Sequence, residues 1–355
     1  MNGKQLNFGL IGAGGIAQSY VQAFSQTDLG RIAAVADTRP EAAKALAEGL
    51  GCASFRSHEA LADKAKVDAV IVCTPPSTHA EICLGLIEHG IHVLCEKPLC
   101  PDSTSAKRMV QSAERAGVVL TMASKFRYVE DVIRAKSIVT SGILGEIILF
   151  ENAFTARVDM TNRWNSNPAV SGGGVLIDNG THSVDIMRYF LGPVAEVHAV
   201  EGKRVQGLAV EDTVRIFIRS VEGVMGSIDL SWSLNKELDS YIDIYGSRGT
   251  IRVGWKESKY RQSSSPDWIV FGKGYDKVQA FKRQIENFCH AIRKEEPLLI
   301  TAEDAIGSVE TIEAAYRSLA GNHWVQVSGP NEALSHGRNG PARKAPPARK
   351  LALKK

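Results

Sequence analysis

The first third of the chain alternates short apolar, β-branched runs with segments whose apolar residues recur at helical spacing. Leu6–Ile11 reads as a strand, followed by a glycine cluster and a helix from about Ile16. Arg31–Ala36 predicts a second strand, and Pro40 suits the first turn of the helix after it. A short strand near Ser54–Arg56 follows. Ala69–Cys73 is an unbroken apolar run, the mark of a parallel strand buried on both faces. Thr78-His79-Ala80-Glu81 has capping-box spacing and opens a helix expected to stop at Gly90. His92–Cys95, a helix over Ser103–Ala116 and a strand over Val118–Met122 complete the series. Strand and helix alternating in this way predict a parallel, doubly wound α/β sheet with right-handed crossovers.

From about Glu146 the rhythm changes. Strand-like runs follow one another at Glu146–Phe154, Val194–Lys203, Asp212–Ser220, Val224–Ser233, Ser240–Gly246 and Thr250–Gly254. In the third of these, Val214, Ile216 and Ile218 alternate with Arg215 and Arg219, as in a half-buried antiparallel strand. Amphipathic helices are predicted at Val175–Leu191, Asp276–Lys294 and Ala302–Ala320. The second unit is therefore expected to be α+β, an open, mostly antiparallel sheet with helices on one side. No internal repeat is visible.

Composition sharpens this picture. At 355 residues the chain exceeds what one hydrophobic core usually serves, and two domains are expected. No apolar run approaches the roughly 20 residues that span a bilayer. The polar start from Met1 to Gln5 does not read as a signal peptide. Six cysteines without a CxxC pair read as buried thiols of a reducing compartment, with neither a disulfide framework nor a metal site; the expected location is the cytoplasm. The net charge of +3 is produced entirely by the tail. Residues 333–355 hold seven of the 42 basic residues and no acid, leaving 35 basic against 39 acidic in the rest. Such a body argues against a nucleic-acid surface, and the Gly-, Pro- and Lys-rich tail is expected to be disordered.

Four stretches carry chemistry. Gly12-Ala13-Gly14-Gly15-Ile16-Ala17 fits G-x-G-x-x-A between a strand and a helix. There Gly12 permits the tight turn, Gly14 lets backbone approach a pyrophosphate, and the helix N-terminus offers free N–H groups. Asp37, 20 residues past Ala17 at the end of the second strand, suits the adenosine ribose hydroxyls and favours NAD; Thr38 and Arg39 leave NADP open. Thr74-Pro75-Pro76 follows the fourth strand, and Cys95-Glu96-Lys97-Pro98 ends the fifth, both where ligands of such sheets collect. Lys97 before proline is held extended, able to project into a cleft, and its peptide is a candidate for the cis form. The fourth stretch, Gly172-Gly173-Gly174 and the helix after it, places Asp178, His182 and Asp185 on one face.

Taken together, Gly12-x-Gly14-x-x-Ala17, Glu96-Lys97-Pro98 and Gly173-Gly174-x-Leu176-x-Asp178-x-Gly180-x-His182-x-x-Asp185 resemble the glucose-fructose oxidoreductase, inositol dehydrogenase and MocA (Gfo/Idh/MocA) family over residues 5 to 328. The resemblance implies a Rossmann domain (1–125), a substrate-binding and oligomerisation domain (126–328) and a basic tail (329–355). It implies NAD(P)-dependent oxidation of a secondary hydroxyl of a sugar, polyol or nucleotide-sugar, or the reverse reduction. Carried over by position, Lys97, Asp178 and His182 look catalytic. The cofactor is expected on Gly12, Gly14, Gly15 and Ile16, with Asp37, Thr74, Pro75, His79, Glu96 and Lys97 along its length. Arg127 looks like a cleft residue, and the residue two before it, often Asn in relatives, is Lys125 here. Arg157 and Trp164, beside Arg163 in the loop before the glycine run, are expected at the substrate. A homodimer or homotetramer through the open sheet face is the expected assembly. The competing class is a non-catalytic dinucleotide-sensing regulator of the same fold, whose members tend to lose the lysine and histidine that this chain keeps.

Overall fold

The computed structural model describes residues 5–327, so the tail expected over 329–355 lies outside the described residues. The first unit runs β1 (Leu6–Ile11), α1 (Gly15–Phe24), β2 (Gly30–Ala36), α2 (Pro40–Leu50), β3 (Ala53–Phe55), α3 (His58–Lys64), β4 (Ala69–Val72), α4 (His79–Glu88), β5 (His92–Glu96), α5 (Ser103–Ala116) and β6 (Leu120–Ala123). Its strands pair in parallel in the order β3-β2-β1-β4-β5-β6. The order reverses between β1 and β4, the switch point at which such sheets bind ligands beyond their carboxyl ends. Every residue of β4 is fully buried, as its unbroken apolar run predicts; the Val70, Ile71 and Val72 side chains contribute about 1.5–3 kcal/mol each.

The boundary expected at Thr78 forms differently. A single 3₁₀ turn over Pro76–Thr78 leads directly into α4, so Thr78 already has near-helical angles. Its hydroxyl donates to the Pro75 carbonyl at 2.8 Å and caps no helix N–H. The two prolines of that loop, by fixing φ, favour this tight entry over an extended N-cap. Helix α3 has only seven residues, too few to display a period in the sequence.

The second unit contains α6 (Glu130–Thr140), β7 (Ile147–Thr155), α7 (Pro168–Ser171), α8 (Val175–Leu191), β8 (Val194–Glu201), β9 (Thr213–Ser220), β10 (Met225–Ser231), β11 (Ser240–Gly246), β12 (Gly249–Gly254), β13 (Ser258–Gln262), β14 (Ile269–Gly272), α9 (Lys277–Ile292), α10 (Ala302–Gly321) and β15 (Val325–Gln326). Its strands form one sheet, β14-β13-β12-β11-β7-β10-β9-β8-β15, antiparallel throughout except for β7 with β10. In β9, Val214, Ile216 and Ile218 are buried while Arg215, Phe217 and Arg219 face outward, the alternation the sequence predicts. Helices α8 and α10 pack on the sheet.

One helix crosses back. Phe281, Ile285 and Phe288 of α9 share a core with Phe8, Tyr20 and Phe24, so a segment placed by sequence in the second unit completes the first. The Tyr20 and Phe281 rings meet edge to face at 4.8 Å.

Candidate active site

The glycine loop is shaped by a close approach and an open side. Gly12 has φ +94°, and a Cβ there would lie 2.8 Å from the Cys73 carbonyl oxygen, so only glycine lets the loop lie against the end of β4. Gly14 and Gly15 have the opposite surroundings, with nothing within 4 Å of an added Cβ. No side chain caps α1, and its first turn carries no acid. The N-terminus of α1 thus opens, with its partial positive charge, beside free space that suits a pyrophosphate. Ile16 is half-buried and Ala17 fully buried beneath the loop.

Asp37 closes the far end of this groove. Its carboxylate accepts from the Ala13 N–H at 2.8 Å and the Arg39 N–H at 2.8 Å, and pairs with the Arg39 guanidinium at 3.0 Å. Burial pushes the Asp37 carboxyl up, but the hydrogen bonds from Arg39 and Ala13 outweigh it and hold the group below the usual carboxylate range. Arg39 itself lies largely in solvent.

Thr74 and Pro75, half-buried after β4, and Glu96 and Lys97, at the end of β5, line the neighbouring carboxyl ends of the sheet. The Lys97–Pro98 peptide is cis. His79, expected at the cofactor, is fully buried, with its ring nitrogens 2.9 Å from the Pro98 carbonyl and 2.8 Å from the Thr74 carbonyl. The ring bridges the two loops, its single N–H donating to one of the two carbonyls. Glu96 is also buried, accepting from the Tyr20 hydroxyl at 2.8 Å and from the Lys97 N–H at 3.2 Å. Burial pushes its carboxyl up, against the pull of Lys97 and Tyr20.

Helix α8 delivers the other half. Its glycine run is required by protein neighbours: side chains at 173 and 174 would collide with Tyr316 and with the Glu211 backbone. Glu211 caps the helix, its carboxylate accepting from the N–H groups of Gly174 at 2.9 Å and Leu176 at 3.1 Å. Held there, α8 points Asp178 at Lys97, whose Nζ donates to the carboxylate at 2.5 Å and to the Asp178 carbonyl at 3.1 Å. His182, one turn on, is buried. Its Nδ1 lies 3.3 Å from Ser124 Oγ and its Nε2 lies 3.5 Å from Lys125 Nζ. Burial, with Lys125 and Lys97 nearby, pushes the imidazole pKa well down, so the ring is neutral. Burial and Lys97 likewise lower the Lys125 ammonium to about 8.

Arg127 is not a cleft residue. Its guanidinium is buried, paired with Asp185 at 2.9 Å and Asp304 at 2.9 Å and lying over the Tyr189 ring at 5.1 Å. Burial opposes its charge, but the two carboxylates hold it protonated. Asp185, the third polar residue of the α8 face, is spent on this pair. Arg157 and Trp164 stand exposed in the segment between β7 and α7. Ser124, Lys125 and Tyr20 join the site without a motif of their own; the departure from Asn at 125 was the one signal pointing there.

The family description "Oxidoreductase family, NAD-binding Rossmann fold" matches residues 6–124, and the Gfo/Idh/MocA C-terminal domain matches residues 132–252. The chain belongs to the Gfo/Idh/MocA family and is an NAD(P)-dependent oxidoreductase. It is 26% identical to inositol 2-dehydrogenase of Rhizobium meliloti, over 91% of this chain and 99% of that protein. It is 35% identical to D-glucoside 3-dehydrogenase of Escherichia coli, over 54% of this chain and 56% of that protein. Levoglucosan dehydrogenase in complex with NADH shares the fold with a TM-score of 0.85 at 22% identity, covering 92% of this chain and 100% of that one.

Proposed function

We propose that this oxidoreductase interconverts a secondary hydroxyl and a ketone on a sugar, polyol or nucleotide-sugar. The observation that carries the reading is the meeting of Lys97, Asp178, His182 and Lys125 at the carboxyl end of β5, on the same sheet edge as the open glycine loop. Relatives named for inositol and glucoside oxidation support the substrate class.

A nicotinamide held at this site would supply the hydride acceptor for the carbinol carbon. The residues handle the charge left behind. As the hydroxyl proton leaves, Lys97 as ammonium stabilises the growing negative charge on oxygen and, in reverse, polarises a ketone. Neutral His182 takes the proton at Nε2, a step typically worth 10²–10⁴-fold. Asp178 holds Lys97 in place through its 2.5 Å contact. Gly12, Gly14, Gly15 and Ile16 hold the pyrophosphate and Asp37 the adenosine ribose, which favours NAD. Thr74, Pro75 and Glu96 line the nicotinamide end, with His79 fixing their loops from beneath. Trp164 and Arg157 supply a stacking surface and a cation on the substrate side.

The chain acts in the cytoplasm; among the described residues no helix is long and apolar enough to cross a membrane. It assembles as a homodimer or homotetramer through the outer face of the nine-stranded sheet, where Ile148, Phe217 and Met225 are exposed. The lysine and histidine kept at 97 and 182 favour catalysis over a sensor role.

The test is reduced-nicotinamide absorbance with a panel of polyols, aldoses and nucleotide-sugars, each with NAD and NADP, beside Lys97→Ala. Turnover that the variant loses while still binding NADH supports the reading. Turnover unchanged in the variant, or cofactor binding with no turnover across the panel, counts against it.

A further inference from the structure

Resting on the dehydrogenase reading, the site poses a question of where the proton goes. His182 is buried close to Lys97 and Lys125, and burial above all disfavours an imidazolium. A base that cannot keep its proton must hand it on. Of the two ring nitrogens, Nδ1 is committed to the protein. Ser124 Oγ lies 3.3 Å from Nδ1, and its hydroxyl oxygen can accept from an Nδ1–H. With Nδ1–H directed at Ser124, the Nε2 lone pair is left toward Lys125. The protein group facing Nε2 is Lys125 Nζ, at 3.5 Å, a separation typical of catalytic hydrogen bonds before a ligand tightens them.

We propose that Lys125 is the proton-accepting end of a two-residue relay, in which His182 Nε2 passes the substrate hydroxyl proton to the free amine of Lys125. In oxidation the O–H bond breaks and its electron pair forms the second bond of the ketone as the hydride leaves carbon for the bound nicotinamide. The proton joins Nε2, the ring rocks to turn this N–H from the substrate oxygen toward Nζ, and the Lys125 lone pair takes it, restoring neutral His182 and leaving an ammonium. Reduction runs the same steps backwards, with the ammonium as the acid.

The surroundings of Lys125 suit an amine that exchanges protons near neutrality. Its Nζ lies 4.8 Å from the Phe126 ring centroid and 5.8 Å from that of Phe281; the rings exclude water from the amine while their faces attract its cationic form. The charged and titratable groups facing it are Glu96 and Lys97 from the end of β5, Asp178 and His182 from α8, and Lys277 from the start of α9. Burial and the two other lysines favour the free amine, Glu96 and Asp178 the ammonium, and the balance lies at about 8. Lys97 differs in kind: its ammonium is engaged by the Asp178 carboxylate and carbonyl together, so it can stabilise charge without giving up its proton.

Two measurements test the relay. In ligand-free protein carrying ¹³Cε-lysine, the signal lost in Lys125→Arg belongs to Lys125. It should titrate with a midpoint near 8, whereas exposed lysines titrate near 10.4; a midpoint in that ordinary range overturns the relay whether or not a substrate is known. In steady state, wild-type kcat for oxidation should rise with pH to a plateau with a midpoint near 8. Lys125→Arg, a fixed cation, should lower kcat about 10²–10⁴-fold and abolish that limb, with KM within a few-fold. Added methylamine should restore turnover to Lys125→Ala. A Lys125→Arg variant with unchanged kcat and an unchanged limb overturns the relay. If Lys97→Ala is inactive in the same series, the dehydrogenase reading survives that failure.

Discussion

Arg127 and Asp185 meet at 2.9 Å with side chains only 3% and 0% exposed, and Asp304, from the first turn of α10, binds the same guanidinium. This places a charged junction beneath the cleft, joining the turn after β6 to α8 and α10. Breaking such a pair by removing one partner leaves a buried charge and typically costs about 3–5 kcal/mol. Arg127→Ala should therefore lower the unfolding free energy by about that amount in urea titrations. Arg127→Ala with wild-type stability and a raised KM would return the residue to the substrate.

Asp304 makes the same junction pH-sensitive. Burial raises its pKa, but Arg127 and the Thr301 backbone N–H outweigh burial and hold it below the usual value. The folded state then binds fewer protons than the unfolded chain, whose aspartate titrates near 3.9. Its contribution is complete above about pH 5 and is lost as pH falls through the depressed folded value. Asp304→Asn should be less stable at pH 7 and should lose less on acidification from there. Parallel pH–stability curves for variant and wild type would disprove this.

How much of this was legible depended on how local the cause was. The sheet of the first unit and helix α8 announce themselves because their periods lie within one segment. Strand β13, Ser-Lys-Tyr-Arg-Gln, sits near the sheet edge and has almost no apolar alternation to read. Arg127 is set by a partner 177 residues away, and a short motif gives no sign of it. Lys125 meets His182 because the turn after β6 runs under α8, a relation of elements and not of spacing. The glycine run was legible as a close approach, but what it approaches, Glu211 and Tyr316, was not.

That distinction separates two glycines by experiment. At Gly174 a Cβ would strike the Glu211 carbonyl, which is backbone and cannot swing away. Gly174→Ala should cost about 1–3 kcal/mol and, by shifting the start of α8 and so Asp178, reduce turnover. At Gly14 nothing lies within 4 Å of an added Cβ. Gly14→Ala should melt like wild type yet bind NADH at least about tenfold more weakly, a loss of about 1.4 kcal/mol, because its methyl enters the pyrophosphate space. Thermal melts and NADH fluorescence titrations on both variants decide the matter; equal affinity in Gly14→Ala would move the cofactor off this loop.

If Asp37 holds the adenosine ribose as proposed, the cofactor choice rests on its pairing with Arg39, whose Nε and Nη2 both bind the carboxylate. A carboxylate there would repel a 2′-phosphate, and at 3.0 Å it also occupies the neighbouring Arg39 guanidinium. Asp37→Ser removes the repulsion and frees Arg39 at once. The expected outcome is a shift in the NADP-to-NAD affinity ratio of about 10–100-fold, or about 1.4–2.8 kcal/mol, read by fluorescence titration of the two reduced cofactors. The carboxylate also anchors the glycine loop through the Ala13 N–H, so some loss of affinity for both cofactors should accompany the shift. Pairing the change with Arg39→Ala separates the effects: the loop anchor stays lost, while the gain for NADP should vanish. If Asp37→Ser weakens both cofactors equally, the carboxylate serves the loop alone and the choice of cofactor lies elsewhere.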